Sequence, residues 1–170
     1  MLFGIYNGKN KFKKNMIQRI QTLYLLAIVI LSGFVIFSPV AELINSIDKL
    51  IYLVDYKGIS LVQATGNVIE SRIWGLTSVS SVVPILALIT IFSFKNRVKQ
   101  IRLTVINMFF MIAFYIFLLL YIWPACDRLH TDWHLQIAST FPLVNLILSY
   151  LAIGAIGKDE KLVKSLDRLR

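Results

Sequence analysis

Predominantly apolar residues gather into four blocks, at about 20–40, 74–94, 103–123 and 137–156. Lys, Arg, Asp and Glu are absent from all four. Each block is close to the roughly 20 residues that a helix needs to span about 30 Å of hydrocarbon. Backbone polar groups must be satisfied internally in lipid, so such a block is a helix or part of a closed barrel. Barrel strands are shorter and alternate in polarity; these blocks are apolar all round. The pattern predicts an all-α membrane protein of four transmembrane helices in an up-and-down antiparallel bundle.

The segments between the blocks differ in kind. The 95–102 link is short and makes helices two and three an antiparallel hairpin, whereas 42–73 is long for a bare loop and should carry structure of its own. Ile44, Ile47, Leu50, Ile51 and Val54 keep helical spacing, while the β-branched and aromatic runs around Lys57-Gly58 suit a hairpin. A short helix followed by strands is expected, giving a small, partly β outer segment between helices one and two. In the tail 158–170, Leu162, Leu166 and Leu169 share one helical face, with acids early and bases late to suit the helix dipole. Such a tail should lie along the inner membrane surface.

The N-terminus raises two questions. A basic approach (Lys9, Lys11, Lys13, Lys14, Arg19) and Ala41 suggest a signal peptide. The apolar run is too long for a signal core, however, and Pro39 stands where a small residue is wanted, so no cleavage is expected. MIQRIQTLYLL reads as a natural start at Met16. Residues 1–15 are then a disordered extension, 16–157 the four-helix domain, and 158–170 a cytoplasmic tail.

Composition sharpens the picture. The chain is 57% hydrophobic and 16% charged, against roughly 45–50% and 25% in soluble domains. Fourteen of its 18 Lys and Arg fall before helix one, between helices two and three, or after helix four, with three acids beside them, a net +11. The other side holds Lys49, Lys57, Arg72 and Arg128 against six acids, a net −2. Basic loops stay in the cytoplasm, so both termini are expected there, in a bacterial inner membrane and against anionic lipid. The total of +9 follows from topology, and no nucleic-acid partner is expected.

The strings MIQRIQTLYLLA, FSFKNRVKQIRL and FPLVNLILSYLAIGAIGKDEKLVKSLDRLR resemble an uncharacterised family of small four-helix membrane proteins found in Bacteroidota. The resemblance covers about residues 16–170 and implies the same topology and inner-membrane placement. It implies no activity and no site residues.

Candidate chemistry is sparse. Cys126 to His134 holds both histidines and the only cysteine. His130, Asp132 and His134 are weak candidates for a zinc or copper site, since histidines four apart share a helical face. Their spacing matches no established ligand pattern, and a solvated interfacial rim with Trp123 and Trp133 is the simpler reading. No metal and no cofactor are expected, and Cys126 has no internal disulfide partner. Within the helices, Asn145 lies near mid-membrane with Ser149 and Ala152 on its face, a seam for helix packing. Asn107 lies at another depth, about 10 Å or more away at 1.5 Å per residue, so the two should not pair. Pro84 should kink helix two by freeing the Ser80 carbonyl, with Ser78, Ser80 and Ser81 available to reseat lost bonds.

No glycine-rich phosphate loop, Ser/His/Asp spacing or intramembrane ionisable group appears, and catalysis and transport usually need one of these. The expected role is a non-catalytic structural or accessory component of a membrane complex, with a protein partner or a second copy. The alternative is a small channel or transporter acting as an oligomer, and a metal-dependent enzyme on the outer rim stands third.

Overall fold

The computed structural model describes residues 3–45, 48–63, 67–94 and 96–167, with side-chain surroundings for those of them between 20 and 158. Helix α1 (Phe3–Phe37) leads into four strands, β1 (Ala41–Asn45), β2 (Leu50–Asp55), β3 (Gly58–Leu61) and β4 (Val68–Ser71). Helices α2 (Trp74–Phe92) and α3 (Arg97–Leu129) follow, then β5 (Asp132–Leu135), a 3₁₀ turn (Ile137–Thr140) and α4 (Phe141–Asp167). All the strands join one antiparallel sheet in the order β4-β3-β2-β1-β5.

This sheet corrects the expected fold class. The chain is a mixed α and β protein, four helices plus a five-stranded sheet, and not an all-α bundle with a hairpin. The expected short helix before the strands is replaced by β1 and β2. Burial alternates along both strands, with Ala41 and Leu43 of β1 and Tyr52 and Val54 of β2 buried. The apparent helical spacing across 44–54 came from apolar residues on both faces of the sheet, where Val54 is buried and Ile51 exposed. The hairpin at Lys57-Gly58 does form: β2 pairs with β3 from Asp55↔Gly58 to Tyr52↔Leu61. The Asp55 carboxylate accepts the N–H of Lys57 at 2.8 Å and of Gly58 at 3.2 Å, an Asx turn. Gly58 takes φ +146°, and a Cβ there would collide with the Ser71 carbonyl of β4.

Four stretches are long and apolar enough to cross a bilayer: Ile20–Phe37, Trp74–Phe92, Arg97–Leu129 and Ile137–Lys158. Residues 3–15, expected as a disordered extension, have helical backbone continuous with the rest of α1. The tail likewise continues α4 to Asp167; Leu162, Leu166 and Leu169 lie outside the residues whose side chains are described. Helix α1 packs beside α2 and α4, and α3 beside the same two, so α1 and α3 sit on a diagonal.

The sheet caps one end of this bundle, where α1 and α3 finish and α2 and α4 begin. Leu43, Val54 and Ile59 of the sheet are buried in one cluster with Leu76 of α2 and Leu118 and Ile122 of α3. Each such side chain removed from water contributes about 1.5–3 kcal/mol. Polar clamps fix the cap: the Asn45 amide donates to the Leu129 carbonyl at 3.0 Å, and the Thr77 hydroxyl to the Tyr56 carbonyl at 2.7 Å. A second cluster, Leu25, Ile28, Val83, Ala87, Met111 and Ala152, fills the bundle farther from the sheet.

Candidate functional site

Helix α4 begins at Phe141-Pro142, where proline suits a first turn that has N–H groups to spare. One turn on, Asn145 points into the bundle and is 1% exposed. Its amide nitrogen donates to the Ser32 hydroxyl of α1 at 3.1 Å. Its carbonyl oxygen has no partner among the described residues, nor does the hydroxyl of fully buried Ser149. Ala152 completes this face against α1, α2 and α3. Asn145, Ser149 and Ala152 thus share one buried seam.

Asn107 is also buried, with its carbonyl oxygen unpartnered among the described residues. It makes no bond to Asn145. It continues a row on α3, Gln100, Thr104 and Asn107, at spacings of four and three, and all three are buried. Gln21 of α1 and Thr90 of α2 are buried as well. The interior away from the sheet is therefore mixed polar, whereas the sheet end of α3 buries Phe114, Leu118 and Ile122. Sequence reasoning missed the α3 row by placing Gln100 in the 95–102 link; its spacing of four and three is the signal that could have found it. Ser32 gave no such signal, since one serine in an apolar run carries no period.

Pro84 lies inside α2, as expected. The nearby serines do not reach back to the Ser80 carbonyl. Ser78, Ser80 and Ser81 instead donate to the carbonyls of Trp74, Leu76 and Thr77, each at 2.8 Å.

The rim residues separate. His130 ends α3 in the left-handed region at φ 51°, with the Thr131 N–H closing on the Cys126 carbonyl at 3.2 Å, a Schellman-type cap. His134 belongs to β5, two residues beyond Asp132. The two histidines therefore do not share a helical face, because the helix stops at the first of them. His134 stands opposite Glu42, and Asp132 opposite Ile44, across the β1–β5 pair. Among the described residues no group of three His, Cys, Asp or Glu is placed to hold a metal. Cys126 is a half-buried free thiol. A groove of about 260 Å³ opens at the sheet end, lined by Tyr56, Lys57, Arg72 and Trp74 among others. There the Lys57 ammonium lies 5.6 Å from the Tyr56 ring centre and the Arg72 guanidinium 5.8 Å from that of Trp74.

A family model, Domain of unknown function (DUF4293), matches residues 17–169. The chain belongs to this family. The match takes in all five strands, α2 to α4 and α1 from Ile17 onward, and leaves out residues 1–16. No curated protein matches the chain. The family's description carries no activity, so the chemistry of a DUF4293 chain has to be argued from its residues.

Proposed function

We propose that this protein is a multi-pass component of a Bacteroidota inner membrane, with both termini cytoplasmic and a non-catalytic, structural or accessory role in a membrane complex. One observation carries the reading: only 28 to 33% of an 18-residue apolar window in each candidate span is buried, so the rest is partly or fully exposed. Phe34, Phe37, Ile85, Phe92, Phe109, Leu120 and Tyr150 are among those exposed. In water such a girdle would drive aggregation; in lipid it is the ordinary exterior. Trp74, Trp123 and Trp133 gather toward the sheet end, matching an interfacial aromatic belt. The basic residues Lys99, Arg102 and Lys158 lie at the opposite end, matching a cytoplasmic face. Among the described residues no Asp, Glu, Lys, Arg or His of the bundle is buried as a whole, although one guanidinium nitrogen of Arg97 is out of solvent; the scarcity of such groups favours a structural role over a catalytic one. The sheet is then the part of the molecule that a water-soluble or periplasmic partner can reach.

The test is fractionation followed by gentle-detergent purification at native expression. The expected result is retention in membranes after alkaline carbonate, with one protein co-purifying in a fixed ratio. Release by carbonate would refute the membrane reading, and a lone monomer the accessory one. The buried amide oxygens of Asn107 and Asn145, without partners among the described residues, favour a second reading, a small channel or transporter acting as an oligomer. Solute flux into liposomes holding the purified protein, lost in Asn145→Leu, would establish it.

A further inference from the structure

Beside the Asn145–Ser32 pair lies a partly open cavity of about 20 Å³ to which all four helices contribute. Val83, Met111 and Phe114 form its apolar wall, and Ser32, Ser80 and Asn145 its polar one. A cavity must offer about 10–15 Å³ to hold a water molecule, and the water needs two to four polar partners. Both conditions are met. The Asn145 carbonyl oxygen is a buried acceptor with no donor among the described residues. The Ser32 oxygen accepts the Asn145 amide, yet its own O–H hydrogen reaches no acceptor among the described residues, unlike those of Ser78, Ser80 and Ser81. Ser80 supplies two further acceptors. Its hydroxyl hydrogen is spent on Leu76, leaving oxygen lone pairs, and its carbonyl loses its helical partner because Pro84 has no N–H.

We propose that this cavity binds one ordered water molecule. The water accepts from the Ser32 hydroxyl and donates to the Asn145 carbonyl oxygen and to an oxygen of Ser80, joining α1, α2 and α4. Three bonds is the usual number for a buried water. This satisfies every polar group on the cavity wall at once, including the amide oxygen that would otherwise be stranded beside apolar neighbours. A hard cation is a poorer occupant, because three neutral residues fall short of the six to eight oxygen ligands such ions take. The site stands whether the girdle faces lipid or detergent, so it does not depend on the proposed function.

The experiment is a water–protein NOE measurement on the labelled full-length protein in detergent. The side-chain amide of Asn145 should show a cross-peak to a long-lived water. Ser149→Ala, which removes a buried hydroxyl of the same seam outside the cavity lining, should keep that peak; Ser80→Val, which fills the cavity, should abolish it. No peak in the folded wild-type protein, or a peak kept in Ser80→Val, overturns the assignment. Two readings need no variant. Xenon should leave the Met111 methyl unshifted, since a hydrated polar cavity excludes it, and a xenon shift there would show the cavity dry. Sodium titration should leave the Asn145 amide unmoved, and a saturable shift would replace the water by a cation.

Discussion

Three residues bear more of the structure than their size suggests, each for a different physical reason. Gly58 sits at φ +146° with the Ser71 carbonyl in the place of any Cβ, so neither the angle nor the space admits a side chain. Gly58→Ala should lower stability by more than about 1 kcal/mol, read as a fall in melting temperature in detergent. Asn145 and Ala152 lie two turns apart on one seam but fail differently. Asn145→Leu should cost only about 1 kcal/mol, because it removes an unmet polar group together with the bond to Ser32. Ala152 is fully buried among Leu25, Ile28, Val83 and Met111. Ala152→Leu should therefore cost more, about 1–3 kcal/mol, by overpacking. Paired melts of the two variants test that order, and a costlier Asn145→Leu would mean that its polar contacts dominate the seam. The Asn145 face was legible because polar and small residues fall at helical spacing in an apolar block. Its partner Ser32, 113 positions away, was not, because pairing across helices leaves no mark in local periodicity.

Among the elements, the sheet shows most clearly where a sequence reading fails. The β2–β3 hairpin was legible because Asp55-Tyr56-Lys57-Gly58 is turn chemistry with a mechanism. Strand β5 carries a period-2 pattern, Asp132-Trp133-His134-Leu135, but only four residues of it. Its partner β1 lies about 90 positions earlier, beyond any local signal. The same strand dissolves the expected histidine pair, since chain that turns at His130 and extends to His134 cannot present both on a helix. Asn45 holds this arrangement at the end of β1, by accepting the Asp48 N–H at 3.0 Å and donating to the Leu129 carbonyl. Asn45→Ala should cost about 1–3 kcal/mol, because the last turn of α3 is left with an unmet carbonyl. Hydrogen exchange should then speed up at β1 and at residues 127–131 while α1 and α4 keep their protection. Uniform acceleration across the molecule would show that the cap and the bundle melt as one unit.

At the scale of the whole molecule, helix length, sheet placement and charge all bear on one question, which end faces the cytoplasm. The sheet lies where α1 and α3 finish, and its outward residues include Lys57 at the β2–β3 turn. Lys99, in the first turn of α3, lies at the far end and is likewise exposed. These two lysines therefore report on opposite faces of the bundle without touching its core. In a Cys126→Ala background, Lys57→Cys should react with a membrane-impermeant maleimide in intact spheroplasts. Lys99→Cys should react only after permeabilisation. The physical basis is the proposed topology: fourteen basic residues before the first apolar block, between the second and third or after the fourth, against four elsewhere in the sequence, would hold the basic side on the side of synthesis. Neither substitution disturbs that bias, because each removes one charge from a difference of ten. Labelling of both sites in intact spheroplasts would mean that α2 does not cross the membrane, and the girdle would then need a protein surface instead of lipid to cover it. Labelling of Lys99→Cys alone would invert the topology, placing the sheet in the cytoplasm and handing it cytoplasmic partners.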